Sequence, residues 1–511
     1  MSLDPISLGV QVGRFRAVCD EMGAVLIRAA HSPNIKERRD CSTALFDPGG
    51  ELVMQAEHIP VHLGSMPDAV RAIIGSEQRP GESWILNDPF RGGTHLPDIT
   101  LITPVFADGE LAGYVASRAH HADVGGPAPG SMPASSRSLD EEGVVIQPTR
   151  VTGAAELGEL TSGMRNRPQR VADLRAQLAA NDLGARRLGA LIDADGLAGV
   201  TTAMGEILDY TERRTRTRLA ELPDGSWSAR DVLEGGPDGS EDIELRVTAT
   251  IDGDSLHLDF AGSADQVEGN LNCPLSVTRS AAFFCVRVLL DPDAPPSAGA
   301  HRPVAVSAPA GSILDARPGA AVAGGNVETS SRVADLVFGA LAGVASSPAQ
   351  GQGTMNNLTL AGTGTSEWTY YETLGGGQGA CPRADGPSAI HVAMSNTLNT
   401  PVEALETELP LRVRQVSIRR GSGGAGEHRG GDGLIRELQA LEPMAYSLIT
   451  ERRRHPPGGR DGGSAGQPGR NSVSGEPVPA KATGELRRGD VLRIETPGGG
   501  GFGPPSKEAG A

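Results

Sequence analysis

Histidine and aspartate residues of the kind that bind metal ions are concentrated between Trp84 and Gly126. They are His95, His120, His121, Asp88, Asp98, Asp108 and Asp123. Imidazole nitrogens and carboxylate oxygens are the donors that proteins offer to a catalytic zinc, manganese or iron ion. His95 and Asp98 are separated by a leucine and a proline, so both lie on a segment that is not helical.

A β-hairpin is predicted to bring three of these residues together. Residues 99–106 are apolar and β-branched, residues 107–110 (ADGE) form a turn, and residues 111–118 form a second strand. If the turn is centred between Asp108 and Gly109, His120 faces Pro97, to within one residue of register. It then lies beside His95 and Asp98 at the open end of the hairpin. Two histidines and one carboxylate leave coordination positions open, as in a catalytic metal site.

Two more aspartates are candidates for a fourth ligand or an outer partner of the ligands. Asp88 follows a predicted strand at 84–87, and Asp123 follows the second strand of the hairpin. His121 is expected to point to the opposite face, because neighbours on a strand alternate. The alternative is that these histidines and aspartates satisfy one another at a sheet end. The second group, HHAD, at the matching end of the hairpin favours a metal site.

Two further groups are less specific. Glu37-Arg38-Arg39-Asp40 could supply a general base and an anion-binding arginine, but four charged residues before a strand are usually a solvated turn. His58 and His62 are equally well explained as site residues or as ordinary loop histidines.

The composition excludes several classes of protein. The 511 residues include 69 glycines and 37 prolines, with 3% aromatic residues and a formal net charge of −17. The charge argues against a nucleic-acid surface or an anionic-membrane surface. None of the three lysines follows a glycine, so the chain has no GxxxxGK phosphate loop. Five scattered cysteines, with no signal pattern and no long apolar run, predict a soluble cytoplasmic protein.

The predicted fold class is α+β, multidomain and β-rich with helical segments, with a metal-bearing N-terminal domain. A helix starts at Asp4-Pro5, and residues 165–221 are helical. The predicted domains are 1–225 (metal site and helical end), 226–440 (mixed α/β) and 441–511 (β-rich and glycine-rich, with a disordered tail at 505–511). Residues 142–148 are predicted to form a short strand.

Residues 498–503 (GGGGFG) match the dinucleotide-binding fingerprint letter for letter. That fingerprint needs a following helix, whose N-terminus binds the pyrophosphate, and no helical pattern follows. Residues 462–466 (GGSAG) match a nucleophile elbow, but no histidine follows them to complete a triad in the required order. Neither match predicts a site.

Several longer segments resemble the hydantoinase B/oxoprolinase family over about residues 5–504. They are KERRDCSTALFDPGGELVMQ, IPVHLGSM, LNDPFRGGTHLPDITLITPVF, SRAHHADVGGPAPGSMP, EEGVVIQP, AVAGGNVETSSRVAD, SAIHVAMSNTLNTPVEALE, GSGGAGEHRGGDGLIR and TPGGGGFG. The resemblance implies one subunit of an ATP-dependent enzyme that opens cyclic amides, with ATP bound by a hydantoinase A-type partner subunit. Related pairs carboxylate acetone or acetophenone. In those carboxylases a His-x-x-Asp and a downstream histidine hold the metal, which here implies His95, Asp98 and His120.

The resulting hypothesis is an ATP-dependent hydrolase of a lactam or imide such as a hydantoin or 5-oxoproline. The partner phosphorylates the amide oxygen, and manganese, zinc or iron on this chain activates the attacking water. Arg91 and Arg118 are the candidates for binding the phosphate, and Glu37 or His121 for proton transfer. The alternatives are a carboxylase subunit and a non-catalytic scaffold for the ATP-binding subunit.

Overall fold

A computed structural model of the protein describes residues 3–57, 59–153, 155–236, 239–363 and 368–505. The helices are α1 (Pro5–Ala29), α2 (Pro33–Lys36), α3 (Met66–Arg71), α4 (Glu156–Leu160), α5 (Arg167–Asp195), α6 (Leu197–Ala220), α7 (Leu275–Leu290), α8 (Ser330–Ala340) and α9 (Val402–Glu408). The strands are β1 (Cys41–Phe46), β2 (Leu52–Glu57), β3 (Ser83–Leu86), β4 (Asp98–Ala107), β5 (Glu110–His120), β6 (Thr149–Val151), β7 (Gly225–Gly235), β8 (Glu241–Asp252), β9 (Ser255–Asp259), β10 (Val304–Ser307), β11 (Asn357–Gly362), β12 (Thr369–Glu372), β13 (Leu411–Arg419), β14 (Gly433–Ala440), β15 (Met444–Ile449), β16 (Arg470–Val473), β17 (Glu476–Pro477), β18 (Lys481–Leu486) and β19 (Val491–Glu495).

The mixture of long helices with several sheets confirms the predicted multidomain α+β class. His58 and residues 506–511 of the predicted tail lie outside the described residues. Within those residues, no helix combines the length and the apolar character that a membrane crossing requires.

The first sheet has six strands in the order β2-β1-β5-β4-β3-β6. Helix α1 begins where the Asp4 carboxylate accepts hydrogen bonds from the backbone N–H groups of Ile6 and Ser7, and Pro5 fixes the first turn. Apolar residues of α1, including Phe15 and Met22, are fully buried in the core between the helices and this sheet. Helices therefore pack against one face of this sheet, behind its two central strands.

The hairpin of β4 and β5 has the predicted turn but a different register. Asp108 and Gly109 both have positive φ, as a two-residue type I′ turn requires. A β-bulge between Val105 and Phe106 then shifts the pairing, so His120 lies opposite Asp98 and not opposite Pro97. Gly113 is the residue that permits the bulge. Its φ is +151°, and a Cβ there would lie 2.4 Å from the carbonyl oxygen of Phe46.

The strand predicted at 142–148 is wrong, because the strand in this region is β6. The side chain of Asn87 bonds the backbone segment just before β6, where the backbone of a neighbouring strand would otherwise do so. The Asn87 amide donates to the Val144 carbonyl oxygen at 2.9 Å and accepts from the Ile146 N–H at 2.6 Å. Because a side chain bonds this segment, its residues need not alternate between apolar and polar as they do in a half-buried strand.

Three further sheets follow, in the orders β10-β9-β8-β7, β12-β11-β15-β18 and β13-β14-β19-β16-β17. The last two combine strands from both sides of the boundary predicted at residue 440. Strand β12 is an edge strand, and it carries Tyr371 toward the hairpin of the first sheet.

Backbone packs directly on backbone in a region that we call the glycine layer, formed by residues 377–379, 422–431, 458–466 and 497–503. Gly499 donates its N–H to the Gly431 carbonyl oxygen at 2.9 Å, and its own carbonyl oxygen accepts from the Gly424 N–H at 2.8 Å. A Cβ at Gly499 would lie 2.1 Å from the Gln378 carbonyl oxygen. The glycines of the GGGGFG stretch thus serve close packing in this layer.

Candidate metal centre

His95, Asp98 and His120 meet at the open end of the β4–β5 hairpin. Asp98 is the first residue of β4, and His120 is the last residue of β5. His95 Nε2 lies 3.2 Å from His120 Nδ1 and 3.4 Å from Asp98 Oδ2, and His120 Nδ1 lies 3.4 Å from Asp98 Oδ1. The three side chains are 0%, 1% and 3% exposed. Among the described residues, these three form the one group of ligand-type side chains that could hold a metal ion.

The geometry fits a metal ion better than a set of mutual hydrogen bonds. Bonds of about 2.0–2.2 Å to one ion separate neighbouring donor atoms by roughly 3.0–3.5 Å. All three pairs here fall within that range, whereas charge-assisted hydrogen bonds are about 2.7–2.9 Å long. The donor set suits zinc, manganese or iron.

The protonation states also suit a metal site. Burial lowers the pKa of His120 to about 3, so its ring is neutral near neutral pH. Burial opposes ionisation of Asp98, but its interactions with the imidazoles of His95, His62 and His120 hold the pKa of Asp98 well below its usual value. A neutral imidazole and an ionised carboxylate are the forms that bind metals.

Asp40, the last residue of the charged run at 37–40, lies close to the three ligands. Its side chain is 6% exposed, and no hydrogen bond joins its carboxylate to a described residue. Burial raises the pKa of Asp40 to about 7, with Arg38 and His95 opposing the rise and Asp98 adding to it. A buried carboxylate so close to the three ligands could be a further oxygen ligand or a proton acceptor. The interpretation of residues 37–40 as a solvated turn is therefore wrong for Asp40.

Arg38 is also buried, and it joins the first sheet to strand β12. Its guanidinium group donates to the Tyr371 carbonyl oxygen at 2.9 Å and to the Thr373 hydroxyl at 2.7 Å. The Tyr371 ring stacks on the His120 ring with 4.6 Å between centroids and 7° between planes. A residue far away in sequence thus contacts the candidate metal centre.

We expect Tyr371→Leu to weaken metal binding by about 2- to 10-fold, because an aromatic pair contributes roughly 0.5–1.5 kcal/mol. Without the stacked ring, His120 is free to rotate. Tyr371→Phe is the control, since it keeps the ring and loses the hydrogen bond from the hydroxyl to Asn357. Competition with a chelator measures the dissociation constant. Equal affinities for the leucine variant and the wild type would refute a role for the stack.

Asp88 and Asp123, the candidates for a fourth ligand or an outer partner of the ligands, are bonded to the loops beside the group of His95, Asp98 and His120. Asp123 accepts from the N–H groups of Gly125 and Gly130, both at 2.8 Å, and pairs with Arg165. Asp88 accepts from the Phe90 N–H and from Gln147. Both carboxylates fold the loops beside the centre, and neither belongs to the ligand group.

Two of the residues predicted for proton transfer lie apart from the ligand group. His121 is buried with its Nε2 3.0 Å from Gln177 Oε1 on α5, on the opposite face of the hairpin as predicted. Burial lowers the pKa of His121 to about 4. Glu37 is half-buried and makes no side-chain hydrogen bond or ion pair with another described residue. Asp40 fits the role better than either.

The two predicted phosphate-binding arginines differ in availability. Arg118 is fully buried, and its guanidinium group donates to Thr100, Ser65 and the Gly92 carbonyl oxygen. Burial lowers the pKa of Arg118 to about 10. Arg91 is exposed and lines a cavity of about 970 Å³ together with Asp88, Gly92, Arg71 and Arg279.

His62 was undecided between a site residue and a loop histidine, and the structure places it beside the ligands. Its Nε2 lies 3.4 Å from Asp98 Oδ2, and its Nδ1 lies 2.9 Å from the Ser42 hydroxyl.

Comparison with known proteins finds sequence relatives that match nearly the whole chain. The chain is 40% identical to a 5-oxoprolinase of Dictyostelium discoideum, with 98% of the chain and 40% of the relative covered. It is 31% identical to a protein of Pseudomonas sp. (strain NS671) that is provisionally named as one subunit of a D-/L-hydantoinase, with coverage of 98% and 90%. The chain thus spans about two fifths of the oxoprolinase and most of the hydantoinase protein.

Two solved structures share the fold. The ATP-dependent caprolactamase of Pseudomonas jessenii matches with a TM-score of 0.92 at 26% identity, over 99% of this chain and 92% of that one. An acetone carboxylase matches with a TM-score of 0.85 at 18% identity, over 98% and 76%, which is a likeness of fold. The family model of hydantoinase B/oxoprolinase matches residues 4–505. The chain therefore belongs to the hydantoinase B/oxoprolinase family.

Proposed function

We propose that this chain is the metal-bearing subunit of an ATP-dependent enzyme that hydrolyses a cyclic amide. The observation that carries the proposal is the buried donor group of His95, Asp98 and His120 in a chain of this family. Two of its relatives are named as enzymes of cyclic amides, a 5-oxoprolinase and a caprolactamase. The substrate is accordingly a lactam or an imide.

ATP is bound by a separate hydantoinase A-type subunit. This chain has no GxxxxGK loop, and its glycine-rich GGGGFG stretch is occupied by backbone packing. The oxoprolinase relative has more than half of its length outside the matched part, which leaves room there for a fused ATP-binding region. The partner phosphorylates the amide oxygen and so turns a poor electrophile into an activated imidate.

Hydrolysis then proceeds in two steps that balance. Water adds to the activated carbon, and cleavage of the carbon–nitrogen bond releases the amine and leaves an acyl phosphate. A second water releases phosphate and leaves the carboxylate. A divalent metal held by His95, Asp98 and His120 would supply Lewis acidity toward the water and the developing oxyanion.

Three other residues, Asp40, Arg118 and Arg91, transfer a proton or stabilise negative charge. Asp40 accepts a proton from the attacking water, since its raised pKa of about 7 lies near the working pH. Arg118 contributes a buried positive charge, and each of its three guanidinium nitrogens already donates a hydrogen bond within the protein. Arg91 binds the phosphate from the adjoining cavity, where its side chain is accessible.

The metal content of the isolated chain separates this proposal from a scaffold without chemistry. We expect close to one equivalent of zinc, manganese or iron by elemental analysis after purification without chelators. A scaffold has no reason to retain a stoichiometric transition metal. A chain that is folded but metal-free, and stays so after incubation with each ion, would contradict the proposal.

The reaction is tested with the reconstituted pair of subunits. Hydantoin, 5-oxoproline, N-methylhydantoin and caprolactam are screened for substrate-dependent release of ADP, together with acetone and acetophenone in the presence of bicarbonate. Ring opening of a lactam supports the hydrolase, whereas fixation of carbon dioxide into a ketone supports the carboxylase alternative, for which the acetone carboxylase fold is the argument.

A further inference from the structure

His62 contacts the metal ligand Asp98 but is not itself in the ligand group. It ends a short turn at Pro60–His62 and is 1% exposed. Its Nε2 lies 3.4 Å from Asp98 Oδ2, longer than a normal charge-assisted hydrogen bond, and this buried nitrogen has no hydrogen-bond partner among the described residues. Asp98 is therefore the acceptor toward which a proton on Nε2 is directed.

A second side chain sets which nitrogen of His62 carries that proton. The Ser42 hydroxyl on β1 lies 2.9 Å from His62 Nδ1. An ionised carboxylate can only accept, so the nitrogen facing Asp98 is the protonated one. The Ser42 hydroxyl then donates to Nδ1, and this fixes both the tautomer and the plane of the ring.

The Asp98 oxygens consequently have different surroundings. The Thr94 hydroxyl donates to Oδ2, and His62 Nε2 and His95 Nε2 each lie 3.4 Å from the same oxygen. Oδ1 faces His120 Nδ1 at 3.4 Å and keeps free lone pairs. The carboxylate is thereby held in one orientation, with Oδ1 available to an ion.

We propose that His62 is a positioning residue for the metal centre: its Nε2–H, anchored through Ser42, orients the carboxylate of Asp98. The inference rests on the metal site of the proposed function and adds a residue to it. Hydrogen-bonded partners of ligating groups typically contribute a factor of about 10–100 to metal affinity or activity.

Two substitutions distinguish a positioning role from packing. Glutamine at position 62 can place an N–H donor where Nε2 stands, whereas asparagine reaches only the Nδ1 position and so bonds Ser42 alone. The full-length chain is purified as wild type, His62→Gln and His62→Asn, and thermal unfolding checks that each is folded. Cobalt(II) is the probe, with chelator competition giving the dissociation constant and visible absorption reporting the ligand field.

We expect His62→Asn to raise the cobalt dissociation constant by about 10- to 100-fold and to change the absorption spectrum. His62→Gln should stay within about 3-fold of the wild type. An unchanged constant and spectrum in His62→Asn would overturn the inference, and so would equal losses in the two variants, which would assign the effect to the ring. A wild-type chain that binds no cobalt would instead overturn the metal site of the proposed function.

Discussion

Replacing His95 or His120 with alanine is expected to lower ATP-dependent ring opening by about 1,000-fold or more. Each substitution removes one of three donors and leaves two that cannot hold an ion in a defined geometry. A metal contributes several kcal/mol of transition-state stabilisation, and about 4 kcal/mol corresponds to a factor of roughly 1,000 in rate. The measurement is lactam turnover by the reconstituted pair, with metal content determined on the same samples.

His257→Ala is the matched control for these variants. His257 is exposed on β9, and its ring pairs with the Ser307 hydroxyl at 2.8 Å, within the second sheet. We expect it to keep wild-type metal content and wild-type turnover. If His95→Ala and His120→Ala also retained full turnover, the metal role of this hairpin would be excluded.

The second large effect is expected in the glycine layer, where Gly499→Ala should destabilise the fold by more than about 3 kcal/mol. A methyl group there would lie 2.1 Å from the Gln378 carbonyl oxygen and 2.7 Å from the Gly379 nitrogen. Both are backbone atoms, so no side chain can move aside. Urea unfolding followed by circular dichroism measures the free energy of unfolding, and loss of soluble protein is the extreme outcome.

Gly205→Ala tests whether glycine replacement is harmful in general. Gly205 lies within helix α6, and a Cβ there would have no atom within 4 Å. Alanine at this position should stabilise the protein by about 0.5–1 kcal/mol, because alanine loses less conformational freedom in a helix. Comparable stability of the two variants would show that the glycine layer tolerates side chains.

The part of the candidate metal centre that lies on the β4–β5 hairpin was predictable from sequence, because the strands and the turn of a hairpin can be recognised in one short stretch of residues. The β-branched strands and the Asp108-Gly109 turn brought His95, Asp98 and His120 together in the prediction, and the structure has the same grouping. The observed pairing of His120 with Asp98 differs by one residue from the central prediction and lies within its stated range, and the difference comes from the bulge between Val105 and Phe106. A bulge depends on the backbone of the neighbouring strand β1, which the hairpin's own sequence does not encode.

The residues that reach the candidate metal centre from elsewhere in the chain were not predictable, because only tertiary packing places them beside the hairpin. Tyr371 reaches His120 from another sheet, and nothing in its own neighbourhood marks it as a site residue. Asp88 and Asp123 had the right residue type, but nearby backbone N–H groups, and for Asp88 also the Gln147 side-chain amide, donate to their oxygens. Asp40 stood within a charged run whose usual role is solvation. In the folded protein Asp40 is buried, and Arg38, two residues earlier, joins this segment to strand β12.

The order of synthesis also determines when the glycine layer can be completed during translation. Residues 497–503 are translated after the three other segments of the layer, and Gly499 bridges Gly431 to Gly424. At about 5–20 residues per second, roughly 6–24 seconds separate the synthesis of Gly377 from that of Gly499. During that interval the backbone groups of Gly431 and Gly424 that bond Gly499 lack this partner. The layer is therefore completed only when residues 497–503 have been synthesised.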